Sequence, residues 1–442
     1  MSIVKSLSER LQLKHAEKVI APAEIQAFQH EWGKAEIETK LQIIESLDSI
    51  PEDASRRFLQ LMTRQPNGVS TLIAIRSTLF KAKLSLPLAT GLTETITANL
   101  DSGLQVQRMR KDSPRHIIDL FSSSDRVHPI ASECRMIRRL EEVDRRVFYL
   151  AHFQNPAHPL IVVNVALTQG VASSIQKILD DDEKESGPDS AIFYSISSLE
   201  PGLRGIDLGH RLITSATAEM QNDVSLTNVT QFSSLSPVPG FRRWILKMMD
   251  SDQSALGNVK KIFEIANILS VETIGAENYS DFRELVASLD PQLLPKFSNS
   301  LPKLLFKYLF AEKGPDNSTV CPVCNFHVRN GAELWRLNFS ANTAQYGMSE
   351  SLSMMVNYRY YTDKMWQNSP AENRKDVFTW TVDINGRALM RLDDEKLERL
   401  GVDHPNHRYE LLNEILKQVI FSLNSRVINE LYSEAAIPRT VL

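Results

Sequence analysis

The chain has few cysteines, little glycine, no long apolar runs and no excess of either charge, and each shortage removes a class of protein. Three cysteines in 442 residues, an odd number, argue against a disulfide framework and fit a reducing compartment. No apolar run approaches the ~18 residues that would suggest a membrane span. The N-terminal stretch MSIVKSLSERLQLKHAEKV lacks an apolar signal core. It could form a basic amphipathic helix, but Glu9, Glu17 and a single arginine weaken a transit-peptide reading. The closing PRTVL is not a peroxisomal tripeptide of the SKL type. With 50 Lys and Arg against 54 Asp and Glu, the net charge of −4 makes no case for nucleic acid. The expectation is a cytoplasmic protein with neither a membrane nor a nucleic-acid partner.

What is present reads as more than one domain, since 442 residues exceed a single compact core. Up to about residue 100 the pattern is helical. Residues 24–47 and 54–65 repeat apolar side chains at three- and four-residue spacing, punctuated by Pro51 and the PNG at 66–68. Such a region predicts a helical bundle that packs or dimerises. After about residue 145 the texture changes. RVFYLAHF (146–153), PLIVVNVALT (159–168) and AIFYSISS (191–198) are short, β-branched and apolar, and predict strands. VASSIQKILDD (171–181) predicts a helix, DDDEKESGPDS (180–190) a solvated acidic loop, and HRLITSATAEMQ, starting after Gly209, another helix.

Between the strand at 191–198 and that helix lies PGLRGIDLGHRL (201–212). The chain has only 17 glycines, yet Gly202, Gly205 and Gly209 fall within this stretch. A strand, a glycine turn and a helix start leave backbone N–H groups without helical partners, and the helix dipole favours negative charge there. The segment Arg204, Gly205, Ile206, Asp207, Leu208, Gly209 and His210 is therefore a candidate anion site. An ordinary βα connection in which glycines merely turn the chain is the alternative. It is neither a Rossmann G-x-G-x-x-G nor a Walker loop, since no Gly-Lys-Ser/Thr follows.

Further residues carry possible chemistry. Ser236, in LSPVPG, sits before two prolines that fix φ and pre-order its loop; it is either a site residue or a turn cap. His327, in NFH, is placed between strand or turn residues; its ordinary pKa near ~6.5 suits a proton donor, and a structural histidine is the competing reading. Tyr360 lies in the aromatic-rich strand MMVNYRYY, as a core or a site residue. Cys321 and Cys324 form a C-x-x-C, but four zinc ligands cannot be gathered with only Cys134 remaining, so no metal is expected.

The segment 204–209 resembles the R/Q-x-x-G-x-G/A pyrophosphate loop of the GNAT acyltransferases, which cradles coenzyme A. Downstream follow FSSLSPVPGFRRWIL (232–246), PVCNFHVRNGAELWRLNF (322–339) and MMVNYRYY (354–361). With HPLIVVNVALT (158–168) and YSISSLEPGLRGIDLG (194–209), they closely resemble the malonyl-CoA decarboxylase family over roughly residues 105–361. The resemblance implies an α+β architecture: a helical N-terminal oligomerisation domain (1–104), a GNAT-like catalytic domain with a central mixed sheet (105–372) and a small helical extension (373–442). It implies conversion of malonyl-CoA to acetyl-CoA and carbon dioxide in fatty acid metabolism, without biotin, metal or nucleotide, by a homo-oligomer.

That reaction needs a held carboxylate, a stabilised enolate and a proton delivered to carbon. The family's catalytic serine matches Ser236, whose hydroxyl would bind the malonyl carboxylate and serve as proton acceptor. Its catalytic histidine matches His327, which would protonate the enolate. An acidic residue, more often Glu in the family, matches Asp207, and a tyrosine matches Tyr360; either could orient the histidine or bind the carboxylate.

Residues 384–419 depart from that pattern and resemble the second half of a sterile alpha motif domain, with KDVFTW (375–380) like its start. Half a domain buries too little apolar surface alone, so it is expected to pack on the catalytic domain or on a protein partner. Two other activities share the coenzyme A loop: an N-acyltransferase, which needs an amine, and a non-catalytic acyl-CoA-binding scaffold.

Overall fold

Prolines, an extended Ala35 and a left-handed asparagine divide residues 22–103 into five helices in the computed structural model of the chain. It describes residues 20–362 apart from 125–127, 129, 131, 142, 181–186, 251–275, 299, 311, 313 and 315–317. The helices are α1 (Pro22–Lys34), α2 (Ile37–Asp48), α3 (Glu52–Thr63), α4 (Gly68–Ala82) and α5 (Leu88–Gly103). The periodic stretch 24–47 is thus two helices, because Ala35 turns extended (φ −69°, ψ 140°) and ends α1. Pro51 stands at the start of α3, and Asn67, at φ 57°, starts α4. Their apolar stripes meet: Ile25, Phe28 and Trp32 of α1, Ile43 and Ile44 of α2, and Phe58 and Met62 of α3 are buried. Phe28 and Phe58 pack edge to face at 5.1 Å between ring centres. Each such side chain stabilises the fold by about 1.5–3 kcal/mol on burial.

The chain then runs through β1 (Leu104–Met109), α6 (Arg115–Ser124), α7 (Glu133–Glu141), β2 (Arg145–His152) and β3 (Asn155–Thr168). β1 pairs antiparallel with β2, Leu104 opposite His152, and β2 with β3, Arg145 opposite Ala166. Every residue of β2 is buried, as is β3 from Pro159 onward. Burial on both faces explains why these strands read as continuous apolar runs rather than alternating ones. Met109, Ile117, Phe121, Leu140, Val147, Tyr149 and Val162 form the core beneath them.

α8 (Ile175–Asp180) is shorter than the helix expected over 171–181. β4 (Ser190–Ser198) and α9 (Gly209–Asn222) flank the glycine cluster. After them come β5 (Gln231–Ser234), β6 (Ser236–Pro237), α10 (Phe241–Asp250), α11 (Ala276–Ser288) and α12 (Ser300–Phe310). α13 (Pro322–Arg329), β7 (Glu333–Asn338), α14 (Gln345–Ser351) and β8 (Met355–Tyr360) complete the described chain. β4 runs parallel to β5, whereas β8 pairs antiparallel with β5, β6 and β7. Helices with a mixed sheet make the architecture α+β, as expected.

The chain divides into two compact units, Met1–Ala166 with Ser195–Thr227, and Leu167–Tyr194 with Asn228–Leu442. The first holds α1 to α7, β1, β2, β3 up to Ala166, and α9. The second holds α8, β4 up to Tyr194, β5 to β8 and α10 to α14. The middle of the acidic loop and the SAM-like segment lie outside the described residues.

Candidate active site

In the second unit the LSPVPG stretch is a strand, a turn and a helix start. Leu235 is buried and donates its N–H to the Phe193 carbonyl at 3.1 Å, which ties the joint between β5 and β6 to β4. Ser236 pairs with Val356 of β8. Gly240 adopts φ 82°, a left-handed conformation that favours glycine, and α10 begins at the next residue. The Tyr308 hydroxyl donates to the Pro239 carbonyl at 2.9 Å and holds that turn. A pre-ordered loop thus fixes Ser236, a residue 5% exposed.

His327 meets it from α13. The expectation of a strand or turn around this residue is corrected: Cys321 caps a helix whose first residue is Pro322, and His327 lies in its last turn. Proline at the first helical position is a start signal that the CPVC pattern carried. His327 Nε2 lies 2.8 Å from Ser236 Oγ, and Nδ1 lies 2.7 Å from the Tyr360 hydroxyl. The imidazole stacks on Tyr358, ring centres 4.5 Å apart and planes 15° from parallel. Ser236, His327 and Tyr360 therefore form one buried hydrogen-bonded line.

Hydrogen counting orients that line. Ser236 Oγ donates to Ser234 Oγ at 2.8 Å, and a hydroxyl has one hydrogen to give. With the Ser236 hydroxyl turned to Ser234, Ser236 accepts from Nε2–H and Nδ1 is left bare to accept from Tyr360. Burial sets the charge state: His327 is enclosed in the protein, which pushes its pKa down to about 3. The ordinary value of ~6.5 assumed from sequence does not apply, and the ring is neutral at neutral pH. Any proton it donates comes from the neutral imidazole, with a phenol behind it.

Sequence reasoning passed over three neighbours. Ser234 accepts from the Ser236 hydroxyl and from the Tyr358 N–H at 3.3 Å. Asn357, fully buried, donates to the carbonyls of Ser234 at 2.8 Å and Ala172 at 3.0 Å. Tyr358 supplies the stacking face. The i, i+2 spacing of Ser234 with Ser236, and of Tyr358 with Tyr360, was the available signal, since alternate residues of a strand share a face.

The candidate anion loop, residues 204–210, lies in the first unit. β4 leads into a single 3-10 turn, Pro201–Leu203, and α9 begins at Gly209, so strand, turn and helix occur in the expected order. The expectation of unpartnered N–H groups holds for only part of it. The N–H groups of Leu203, Arg204, Ile206 and Leu208 bond within the turn, and that of Gly202 reaches Ser77 Oγ at 2.8 Å. Gly205 is at φ 82°, and among the described residues nothing accepts its N–H. Gly202 has another purpose: a Cβ there would collide with the Ile73 carbonyl of α4. Leu208 caps α9 without a side-chain bond. His210 is buried and Asp207 exposed. With Ser236 and Tyr360 on its two nitrogens, His327 needs no further orienting partner.

Cys321 and Cys324 are buried free thiols. Cys321 Sγ accepts the Cys324 N–H as the cap of α13, and burial pushes its pKa up to about 12. Among the described residues, no group of three or more His, Cys, Asp or Glu is placed to hold a metal ion.

The family model for the malonyl-CoA decarboxylase C-terminal domain matches residues 103–393. Mitochondrial malonyl-CoA decarboxylase of the goose Anser anser anser is 35% identical over 278 residues, 61% of this chain and 54% of the goose protein. The rat protein of that name is 30% identical over 334 residues, 71% of this chain and 67% of its own length. This chain thus spans about half of the one relative and two thirds of the other. The crystal structure of malonyl-CoA decarboxylase from Agrobacterium vitis superposes with a TM-score of 0.65 at 27% identity, covering 84% of this chain and 96% of that one. A match over most of the chain, and over the segment that brings serine, histidine and tyrosine together, shows that the chain belongs to the malonyl-CoA decarboxylase family.

Proposed function

We propose that the protein decarboxylates malonyl-CoA to acetyl-CoA and carbon dioxide, and so lowers malonyl-CoA in fatty acid metabolism. The observation that carries this reading is the buried line Tyr360–His327–Ser236, on motifs shared with the family. Ser236 turns its hydroxyl hydrogen from Ser234 to the malonyl carboxylate and so binds it. Breaking the carbon–carbon bond releases carbon dioxide and leaves the electron pair in the thioester enolate. His327 gives the enolate carbon the proton on Nε2, Tyr360 passes its hydroxyl proton to Nδ1, and water restores the phenol once the products leave. A thioester enolate is a stronger base than imidazolate, so a neutral donor suffices. The electrons return to carbon with that proton, and no step calls for a redox group, biotin, metal or nucleotide.

In the same reading the loop from Arg204 to His210 binds the diphosphate of coenzyme A, with Gly205 as its bare backbone donor. Asp207, exposed on that loop, acts on the substrate side rather than on the histidine. The helical region 1–104 assembles copies into a homo-oligomer, and exposed Ile37 and Leu84 support an apolar contact there. Residues 105–372 are the catalytic domain, and 373–442 the extension that docks a protein partner. The free cysteines support a cytoplasmic setting. Among the described residues, no helix is long and apolar enough to cross a membrane.

Purified protein given malonyl-CoA alone should release carbon dioxide and accumulate acetyl-CoA in equal amounts. A requirement for an amine would make it an acyltransferase, and tight binding without turnover a scaffold.

A further inference from the structure

Arg76, in the middle of α4, is 5% exposed and 126 residues from the loop it touches. Its Nη1 donates to the Gly202 carbonyl, its Nη2 to the Arg204 carbonyl at 2.9 Å, and its Nε to Thr93 Oγ1 at 3.0 Å. The guanidinium lies over the Phe80 ring, 4.8 Å from its centre. The next residue, Ser77, accepts the Gly202 N–H at 2.8 Å. Two successive residues of α4 thus hold both the donor and the acceptor sides of the turn.

The consequence lies in the peptide between Arg204 and Gly205. It is trans, so its N–H points opposite to its C=O. Arg76 holds that C=O toward α4. The Gly205 N–H is therefore turned away from α4, on a residue that is itself exposed. A free loop with a left-handed glycine could flip this peptide at little cost, because glycine tolerates both orientations. A planar fork bonded to two carbonyls and anchored on a threonine and an aromatic face removes that freedom.

We infer that Arg76 is a positioning residue for coenzyme A: by fixing the Gly202 and Arg204 carbonyls, it aims the Gly205 N–H at the diphosphate. This rests on the coenzyme loop proposed above. Arginine suits the task because one guanidinium reaches both carbonyls and Thr93 together, whereas a lysine ammonium cannot match that planar spread.

The test compares two substrates of the full-length protein, malonyl-CoA and malonyl-pantetheine, which carries the same reacting group without the diphosphate. Arg76→Met should raise KM for malonyl-CoA about tenfold or more, the scale of one lost hydrogen bond to a charged group. Its KM for malonyl-pantetheine should stay within about twofold of wild type, on the same scale. Calorimetric titration with coenzyme A should show a matching loss of affinity. If Arg76→Met melts below the assay temperature, Arg76→Lys, which retains the charge without the fork, carries the same comparison. Equal losses on both thioesters would give Arg76 a role in folding alone, and an unchanged KM for malonyl-CoA would detach it from the loop. Either outcome overturns the inference. Wild-type protein that turns over neither thioester would instead refute the decarboxylase reading, and the coenzyme A titration would still decide the role of Arg76.

Discussion

The Tyr360 hydroxyl lies 2.7 Å from His327 Nδ1, and by donating there it supports the tautomer that carries hydrogen on Nε2, toward Ser236. Tyr360→Phe keeps the ring and removes the donor. Nδ1 is then buried without a partner, and the tautomer with hydrogen on Nε2 loses its support. Turnover should fall about 10²-fold or more, as for loss of a group assisting proton transfer. KM should change little, because the phenol does not hold the coenzyme. Steady-state kinetics decides the matter: a wild-type kcat in Tyr360→Phe would remove the phenol from the proton path.

The acid stability of the protein should carry the signature of His327. Its folded pKa is about 3, below the ordinary ~6.5 it regains on unfolding. Between those values the unfolded chain binds a proton that the native state refuses, so stability rises with pH there. As pH drops from about 6.5 toward 3, this residue alone should withdraw up to about 1.4 kcal/mol per pH unit. His327→Gln should show a shallower loss over that window in urea unfolding at a series of pH values. Parallel curves for the two proteins would mean that the imidazole is not held neutral by burial.

Ser234 should matter through Ser236 rather than through the substrate. Ser234→Ala removes the acceptor of the Ser236 hydroxyl and leaves that hydrogen without a fixed direction. Loss of one such bond, about 1–1.5 kcal/mol, corresponds to roughly a tenfold fall in kcat. Ser236→Ala, which deletes the hydroxyl itself, should cost about 10²-fold or more. Equal effects of the two would place Ser234 on the substrate as well.

What could be read in the sequence, and what could not, follows from the range of the interactions. β2, β3 and β4 were legible because buried strands leave continuous β-branched runs at one place in the chain. The helices before residue 104 were legible from their period, but the break at Ala35 was not, since no proline marks it. Ser236, His327 and Tyr360 were legible through family motifs, and the structure brings them together. The pKa of His327 was not legible, because desolvation is a property of all that packs around the ring, including Tyr358 of a distant strand. Arg76 left no local signal of its link to the loop: its partners there lie 126 and 128 residues away.

The three cysteines should separate cleanly by reactivity. Cys134 is exposed, whereas Cys321 is buried with its pKa pushed up to about 12, so little thiolate exists there at neutral pH. Native protein should take up one equivalent of a maleimide, found on Cys134 by peptide mapping, and three equivalents after denaturation. Rapid labelling of Cys321 in the native state would show that burial does not shield this thiol. Cys321→Ser should keep the cap of α13 and the fold, while Cys321→Ala should destabilise it by about 1 kcal/mol.

Asn357 shows how a residue that touches no substrate can still set the geometry of the site. Its Nδ2 spans the carbonyls of Ser234 and Ala172, while its Oδ1 accepts from Asn338 Nδ2 at 2.8 Å and Arg336 Nε at 3.2 Å. All four contacts lie in or beside β5, β7 and β8, so the amide holds the backbone that carries Ser234 and, through it, Ser236. Asn357→Asp keeps the accepting oxygen but turns a second oxygen on two carbonyls that had received hydrogens. Asn357→Leu fills similar volume and removes all four contacts, although Arg336 Nε keeps its bond to Asn338 Oδ1 and the Ser234 carbonyl a longer one from Ser233. Each buried group left unpaired costs about 1–3 kcal/mol, so both variants should melt earlier, with Leu the worse. The distinguishing result is kinetic. At a temperature where Asn357→Asp remains folded, kcat should fall about tenfold while KM for malonyl-CoA holds, since the Ser236 hydroxyl moves and the proposed coenzyme loop does not. A variant that is destabilised yet turns over at the wild-type rate would show that Ser236 keeps its place without this amide, and that the LSPVPG loop suffices to hold it.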